Sequence, residues 1–233
     1  MGLTRAIERI FGRYLPSPFT IAVLLTVVTI FLALVFTENP SEENHFFRIL
    51  KFWEDGVWNN GLLVFAYQMM LILVLGHVLV LSRPMERLIL RITRLVKDTS
   101  SAAVLVAVST MLVSFFNWGL GLIFGAILAR KVGEYAQAHQ IPINYPLIGA
   151  SGYVGLMVWH GGISGSAPLK VAEEGHLQTL LSGISEPDVI SQLPTSISTS
   201  LTILSTSNLV LFALMVLVIG IIVYFLGKKA KPT

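Results

Sequence analysis

Residues 102–129 read AAVLVAVSTMLVSFFNWGLGLIFGAILA, and their interpretation decides the fold. As one straight helix this uncharged stretch would measure roughly 42 Å, against a hydrocarbon core of about 30 Å. Absorbing the excess by tilt would exceed the usual range of about 0–40°. The alternative lies in Asn117-Trp118-Gly119-Leu120-Gly121, where one polar residue and two glycines allow the chain to turn inside the membrane. The stretch therefore predicts a re-entrant hairpin whose arms, 102–116 and 120–129, reach roughly 22 and 15 Å. Arg130 and Lys131 follow at once; the hairpin returns them to the cytoplasmic side, whereas a single crossing would place them outside. A long helix kinked at glycine is the competing explanation.

Composition supports a membrane setting. Of 233 residues, 54% are hydrophobic and 12% charged, where a soluble domain carries about 25% charged residues. With a mean hydropathy of +0.75, a chain of this size cannot hide its apolar side chains in one aqueous core. Disorder, a collagen repeat, a disulfide scaffold and a soluble nucleotide-binding enzyme are thereby excluded. The 16 Lys and Arg against 13 Asp and Glu leave a net charge of +3. The basic residues fall in short clusters, which points to membrane orientation and not to nucleic acid.

Working outward, residues 1–18 predict an interfacial helix, with Leu3, Ile7, Ile10, Phe11 and Tyr14 on one face and Arg5, Glu8, Arg9 and Arg13 around the other. Residues 19–36 form a first crossing, longer than the apolar core of a signal peptide and ending in Phe36-Thr37-Glu38-Asn39-Pro40 instead of a small-residue cleavage site. An acidic link rich in Phe and Trp leads to a second crossing, 62–81, and then to Arg83, Arg87, Arg91, Arg94 and Lys97, the strongest positive cluster. A Ser/Thr-rich stretch, 195–208, places Ser198, Thr202 and Ser205 on one helical stripe before the last crossing, 205–226, and Lys228, Lys229 and Lys231 close the chain. The expectation is an all-α polytopic membrane protein with a single transmembrane domain. It has four crossings, one of them broken (145–174), plus a re-entrant hairpin, and both termini are cytoplasmic.

The broken crossing begins at Tyr145 with Gly149, Ala150, Ser151, Gly152 and Gly155, small residues that let helices approach closely in lipid. It then enters His160-Gly161-Gly162-Ile163-Ser164-Gly165-Ser166-Ala167-Pro168, which no continuous helix tolerates cheaply. Ser166 reads as the N-cap of a restarting helix. Unpaired backbone facing lipid costs several kcal/mol per group, so such a break must be buried in protein or line a wet cavity. Helix ends of this kind direct amides toward an anion, while unwound carbonyls hold cations.

The candidate substrate residues are accordingly Gly161, Gly162, Ser164, Gly165, Ser166 and Asn117, with a monocarboxylate as the fitting ligand. Asn117 with the carbonyls of Gly119 and Gly161 supplies oxygen ligands for a small coupling cation such as sodium, and His160 suits proton coupling. The blander readings make Asn117 a turn former, the serines back-bonded caps and His160 a structural hydrogen-bonder. No catalytic residue and no particular metal is indicated. A membrane-embedded serine hydrolase using His160-Gly161-Gly162 and Ser164 is the enzymatic alternative; the nucleophile elbow is incomplete, because Ser166 stands where its final glycine belongs. A non-transporting membrane subunit is the third reading.

The block from Trp159 to Leu169 and the preceding Tyr145-Pro146-Leu147, with Leu15-Pro16-x-Pro18, Trp53-x-Asp55-Gly56-x-Trp58-Asn59 and Asn117-Trp118-Gly119-x-Gly121-Leu122, resemble the bacterial short-chain fatty acid transporter family. The resemblance implies a secondary carrier moving acetoacetate- or butyrate-like acids across the inner membrane by ion-coupled alternating access. It covers nearly all of this chain and corresponds to the N-terminal half of family members. The expected partners are therefore a short-chain carboxylate, the lipid bilayer and either a C-terminal half or further copies of the chain.

Overall fold

The computed structural model describes residues 16–40, 43–182 and 187–232. The interfacial helix expected over 1–18 lies almost wholly outside them. Every regular element among the described residues is helical. Four helices are long and apolar enough to cross a membrane: Pro18–Phe36, Asn60–Val80, Thr99–Phe116 and Thr206–Lys229. The chain is an all-α polytopic membrane protein.

It divides into two compact units, residues 1–67 and 68–233. In the first, α1 (Pro18–Phe36) starts at Ser17, whose hydroxyl accepts from the Thr20 amide, with proline in the first turn, where its missing N–H costs nothing. Thr26 and Thr29 return their hydroxyls to the carbonyls of Ala22 and Leu25, so the helix shows lipid no unpaired polar group at these positions. It packs on α2 (His45–Val57), an amphipathic helix capped by Asn44 that keeps Phe47, Phe52 and Trp53 exposed. α3 (Asn60–Val80) begins in this unit and ends in the next.

The second unit is built on α5 (Thr99–Phe116). Asp98 and Ser101 form a reciprocal capping box at its start. Ala102, Ala103, Val106, Ala107, Thr110, Met111 and Ser114 along it are buried. α6 (Trp118–Ala138) covers one side and α11 (Thr206–Lys229) another, while α4 (Arg83–Thr93) packs on α6. Between α5 and α6 only Asn117 is non-helical, extended at φ −152° and ψ 123°. Ser114 faces Gly121 and Thr110 faces Gly125, so the two helices run antiparallel as a hairpin.

The glycines do not make this turn. Gly119 and Gly121 lie inside α6, where a Cβ would strike Ile72 of α3 and Ser114 of α5. Their use is close approach, and Asn117 alone reverses the chain.

The segment after α6 departs further from expectation. α7 (Tyr145–Ser151) stops after seven residues, and two 3-10 turns, Val154–Met157 and Trp159–Gly161, replace the helix expected up to Trp159. In this segment Gly152 sits on the Gly125 backbone and Gly155 on Thr110 and Ser114, contacts that the bare glycine backbone permits. α8 (Ser166–Ala172) follows, then the short α9 (His176–Leu181) and α10 (Pro187–Ser191). Residues 192–205 are turns, so Ser198, Thr202 and Ser205 form no helical stripe. Ser205 instead caps α11, whose far end ties back to α5 through Gly227 against Ser100 and Lys228 against Asp98 at 3.3 Å.

Candidate functional site

Two interruptions of helix come together at the Asn117 end of the hairpin. The first is Asn117, whose Oδ1 accepts from the Leu120 amide (2.9 Å) and whose carbonyl accepts from the Gly121 amide (2.9 Å). The second is the turn Trp159–Gly165, held by Gly162 N–H to the Trp159 carbonyl (3.0 Å) and Gly165 N–H to the Gly162 carbonyl (2.9 Å). Ile163 N–H donates to the Phe115 carbonyl at 2.7 Å, and Trp118 N–H donates to Ser164 Oγ at 3.0 Å. The last turn of α5 and the first amide of α6 are thus both satisfied from the second interruption. The indoles of Trp118 and Trp159 lie 5.7 Å apart, and the His160 ring stacks on Trp159 at 3.9 Å.

Gly162 makes this junction possible, because a Cβ there would collide with the Phe115 carbonyl; Gly165 lies equally close to the His160 carbonyl. Both are buried, Asn117, Gly161 and Ser164 are half-buried, and His160 and Ser166 are exposed. Asn117, Gly162 and Ser164 therefore belong to one junction, with Gly119 buried one residue beyond Trp118. Among the described residues no hydrogen bond ties the exposed Ser166 to it. Ser166 is also not an N-cap: Gly165 occupies that position, extended at φ −64° and ψ 121°, and Ser166 is the first residue of a seven-residue helix. The long helix whose N-terminus reaches the junction is α6, with 21 residues.

On the other side of the turn, Asn208 in the first turn of α11 donates to the carbonyls of Gly161 (2.8 Å) and Ile203 (2.7 Å). Its Oδ1 lies against Gly161, which leaves no room for a side chain at that position. Sequence reasoning missed Asn208 by placing it at the tail of the Ser/Thr stretch; its one signal is a carboxamide immediately before the uncharged run from Leu209. It missed Phe115 because a backbone carbonyl carries no sequence signature.

No Asp, Glu, Lys or Arg occurs between residues 102 and 129 or between 145 and 169. Polarity at the junction therefore comes from hydroxyls, the two carboxamides, carbonyls and the His160 imidazole. The Asn117 Oδ1 and the Gly161 carbonyl each hold one protein hydrogen bond and retain a second lone pair. Among the described residues no hydrogen bond joins Ser164 or Ser166 to a histidine, and no group of three or more His, Asp or Glu could hold a metal ion.

The family model for short chain fatty acid transporters matches residues 1–232. Two curated relatives carry the provisional name of short-chain fatty acid transporter. One, from Escherichia coli K12, is 37% identical over 190 residues, 78% of this chain and 39% of the relative. The other, from Haemophilus influenzae, is 31% identical over 210 residues, 90% of this chain and 44% of the relative. The chain thus spans about two fifths of the length of these relatives. No solved structure matches. On a match that runs over all but the last residue, the chain belongs to the short-chain fatty acid transporter family.

Proposed function

We propose that this chain forms part of a secondary carrier that moves short-chain monocarboxylates, acetoacetate- or butyrate-like acids, across the bacterial inner membrane by ion-coupled alternating access. One observation carries the reading: Trp118 N–H on Ser164 and Ile163 N–H on Phe115 join two helix interruptions inside an apolar bundle. Non-helical backbone at membrane depth is tolerated where it is buried in protein or lines a wet cavity, and carriers place substrate and ion sites at such breaks. Membership of the family supplies the substrate class.

In this reading residues 102–129 re-enter from the cytoplasmic side, residues 145–174 cross in broken form, and both termini are cytoplasmic. Gly161, Gly162, Ser164, Gly165 and Ser166 surround the carboxylate with Asn117. Asn117, Gly119 and Gly161 offer oxygens to a coupling sodium ion, or His160 exchanges a proton. The remainder of the carrier is a second half, such as the length its relatives carry beyond this match, or another copy of the chain.

The test is uptake of labelled butyrate and acetoacetate into proteoliposomes with sodium and proton gradients imposed separately. One preparation holds this chain alone and a second adds the segment that the relatives carry beyond it. Flux that saturates and follows one of the gradients supports the reading; no carboxylate movement in either preparation under any gradient refutes it.

A further inference from the structure

A cavity of about 190 Å³ lies beside the second interruption, between the 3-10 turns and α11. At about 30 Å³ per water it holds roughly six non-hydrogen atoms of water size, the number in butyrate. Its walls differ in chemistry. Leu211, Phe212 and Met215 of α11, with Met157 of the first 3-10 turn, make one side apolar. His160, Gly161 and Asn208 make the other side polar, and Asn208 is pinned there by its two carbonyl partners. Phe212 is braced by Phe115, ring centroids 4.5 Å apart, which leaves the unbranched Met215 as the adaptable part of the apolar wall.

We propose that this pouch receives the alkyl chain of a short-chain monocarboxylate whose carboxylate accepts from the His160 ring, and that Met215 sets the chain length at which affinity stops rising. The inference rests on the carrier reading above and adds to it a place for the tail and a residue that selects its length. An apolar wall opposite the His160 ring matches a small amphiphilic acid, and because Met157 and Leu211 at its edge are exposed, the pouch limits how much tail is buried and does not exclude a longer one.

The experiment measures binding of acetate, butyrate, hexanoate and octanoate to the purified 233-residue chain in lipid nanodiscs by calorimetry. Wild type, Met215→Ala and Met215→Trp are compared, with circular dichroism confirming that each variant is folded. For the wild type, affinity should rise about fourfold per methylene while tail is being buried, then level off once the pouch is full. Met215→Ala should move the optimum toward hexanoate or octanoate, and Met215→Trp should move it toward acetate. Two opposite substitutions guard against a misfolded variant. If wild type binds butyrate but all three proteins share one chain-length profile, the pouch assignment is overturned and the carrier reading stands. If wild type binds none of the four acids, the pouch assignment is overturned, and the carrier reading is decided by the two-preparation flux test.

Discussion

Replacing Gly162 with alanine tests the junction directly. The added methyl would meet the carbonyl oxygen of Phe115 and come within 3.0 Å of its carbonyl carbon and Cα, all backbone atoms fixed in the last turn of α5. No rotamer relieves that contact, so the turn must back away, loosening Ile163 N–H to Phe115 O and Trp118 N–H to Ser164 Oγ together. Overpacking of this kind costs about 1–3 kcal/mol, and each weakened hydrogen bond adds about 0.5–1.5 kcal/mol. A loss of about 2–6 kcal/mol is expected. At about 2–4 °C per kcal/mol for a chain of this size, melting in detergent should fall by about 4–24 °C. Gly149→Ala is the matched control: Gly149 lies in α7 with open space where its Cβ would go. That change should leave stability unchanged or raise it by up to about 1 kcal/mol. The readout is thermal unfolding followed by the quench of Trp118 and Trp159, with hydrogen exchange at the Ile163 and Trp118 amides. If Gly162→Ala melts with Gly149→Ala and neither amide exchanges faster, the junction is not as described.

Ser164→Ala removes the acceptor for the Trp118 amide and should cost about 0.5–1.5 kcal/mol, with faster exchange at Trp118 and little change at Ile163; equal protection at Trp118 would contradict the contact. Ser114→Ala should melt at or above the wild-type temperature, because the buried Ser114 hydroxyl has no hydrogen-bond partner and its loss leaves nothing unpaired; a drop of several degrees would show a partner there. The Asp98 carboxyl is held below the ordinary aspartate value of 3.8, first by the Ser101 backbone amide, with the Ser101 hydroxyl and Lys228 adding to it against some desolvation. A depressed folded-state pKa contributes stability above the unfolded value and loses it as pH falls through the folded one. Melting should therefore decline below about pH 4 in wild type and stay flatter there in Asp98→Asn, which keeps a cap acceptor, while Asp98→Ala should cost about 1 kcal/mol at neutral pH; identical acid profiles for wild type and Asp98→Asn would exclude Asp98 as the titrating group.

The parts of the architecture legible in the sequence are those with a one-dimensional signal. An uncharged run too long for the hydrocarbon core places the reversal within residues 117–121, and the apolar runs 19–36, 62–81 and 205–226 each coincide with a long helix, whereas 145–174 does not. Gly119 and Gly121 were read as turn formers because glycine signals both reversal and close approach, and the choice between them depends on Ile72 and Ser114 being opposite. The same ambiguity applies to the 3-10 turns: Gly149, Gly152 and Gly155 suit a tightly packed helix and a tightly packed turn equally well, and the contacts of Gly152 with Gly125 and of Gly155 with Thr110 and Ser114 carry no signal in the sequence.

The candidate site divides along the same line. Side chains that stand out locally, His160 and the glycines and serines after it, could be nominated from sequence. The groups that organise them could not: a carbonyl at Phe115, an amide at Trp118 and a carboxamide at Asn208 acquire roles only through hydrogen bonds spanning 46 to 48 positions. Those bonds bear on the proposed carrier cycle. With a carboxamide on one side of the turn and a backbone carbonyl on the other, the second interruption is fastened both to α11 through Gly161 and to the hairpin through Ile163 and Ser164. Any movement of the hairpin against α11, as in the alternating access proposed above, must therefore strain one set of these bonds or carry the turn with it. The Trp118–Trp159 pair straddles one of the two fastenings, so its fluorescence should change if the hairpin moves away from the turn and stay constant if the turn moves with the hairpin.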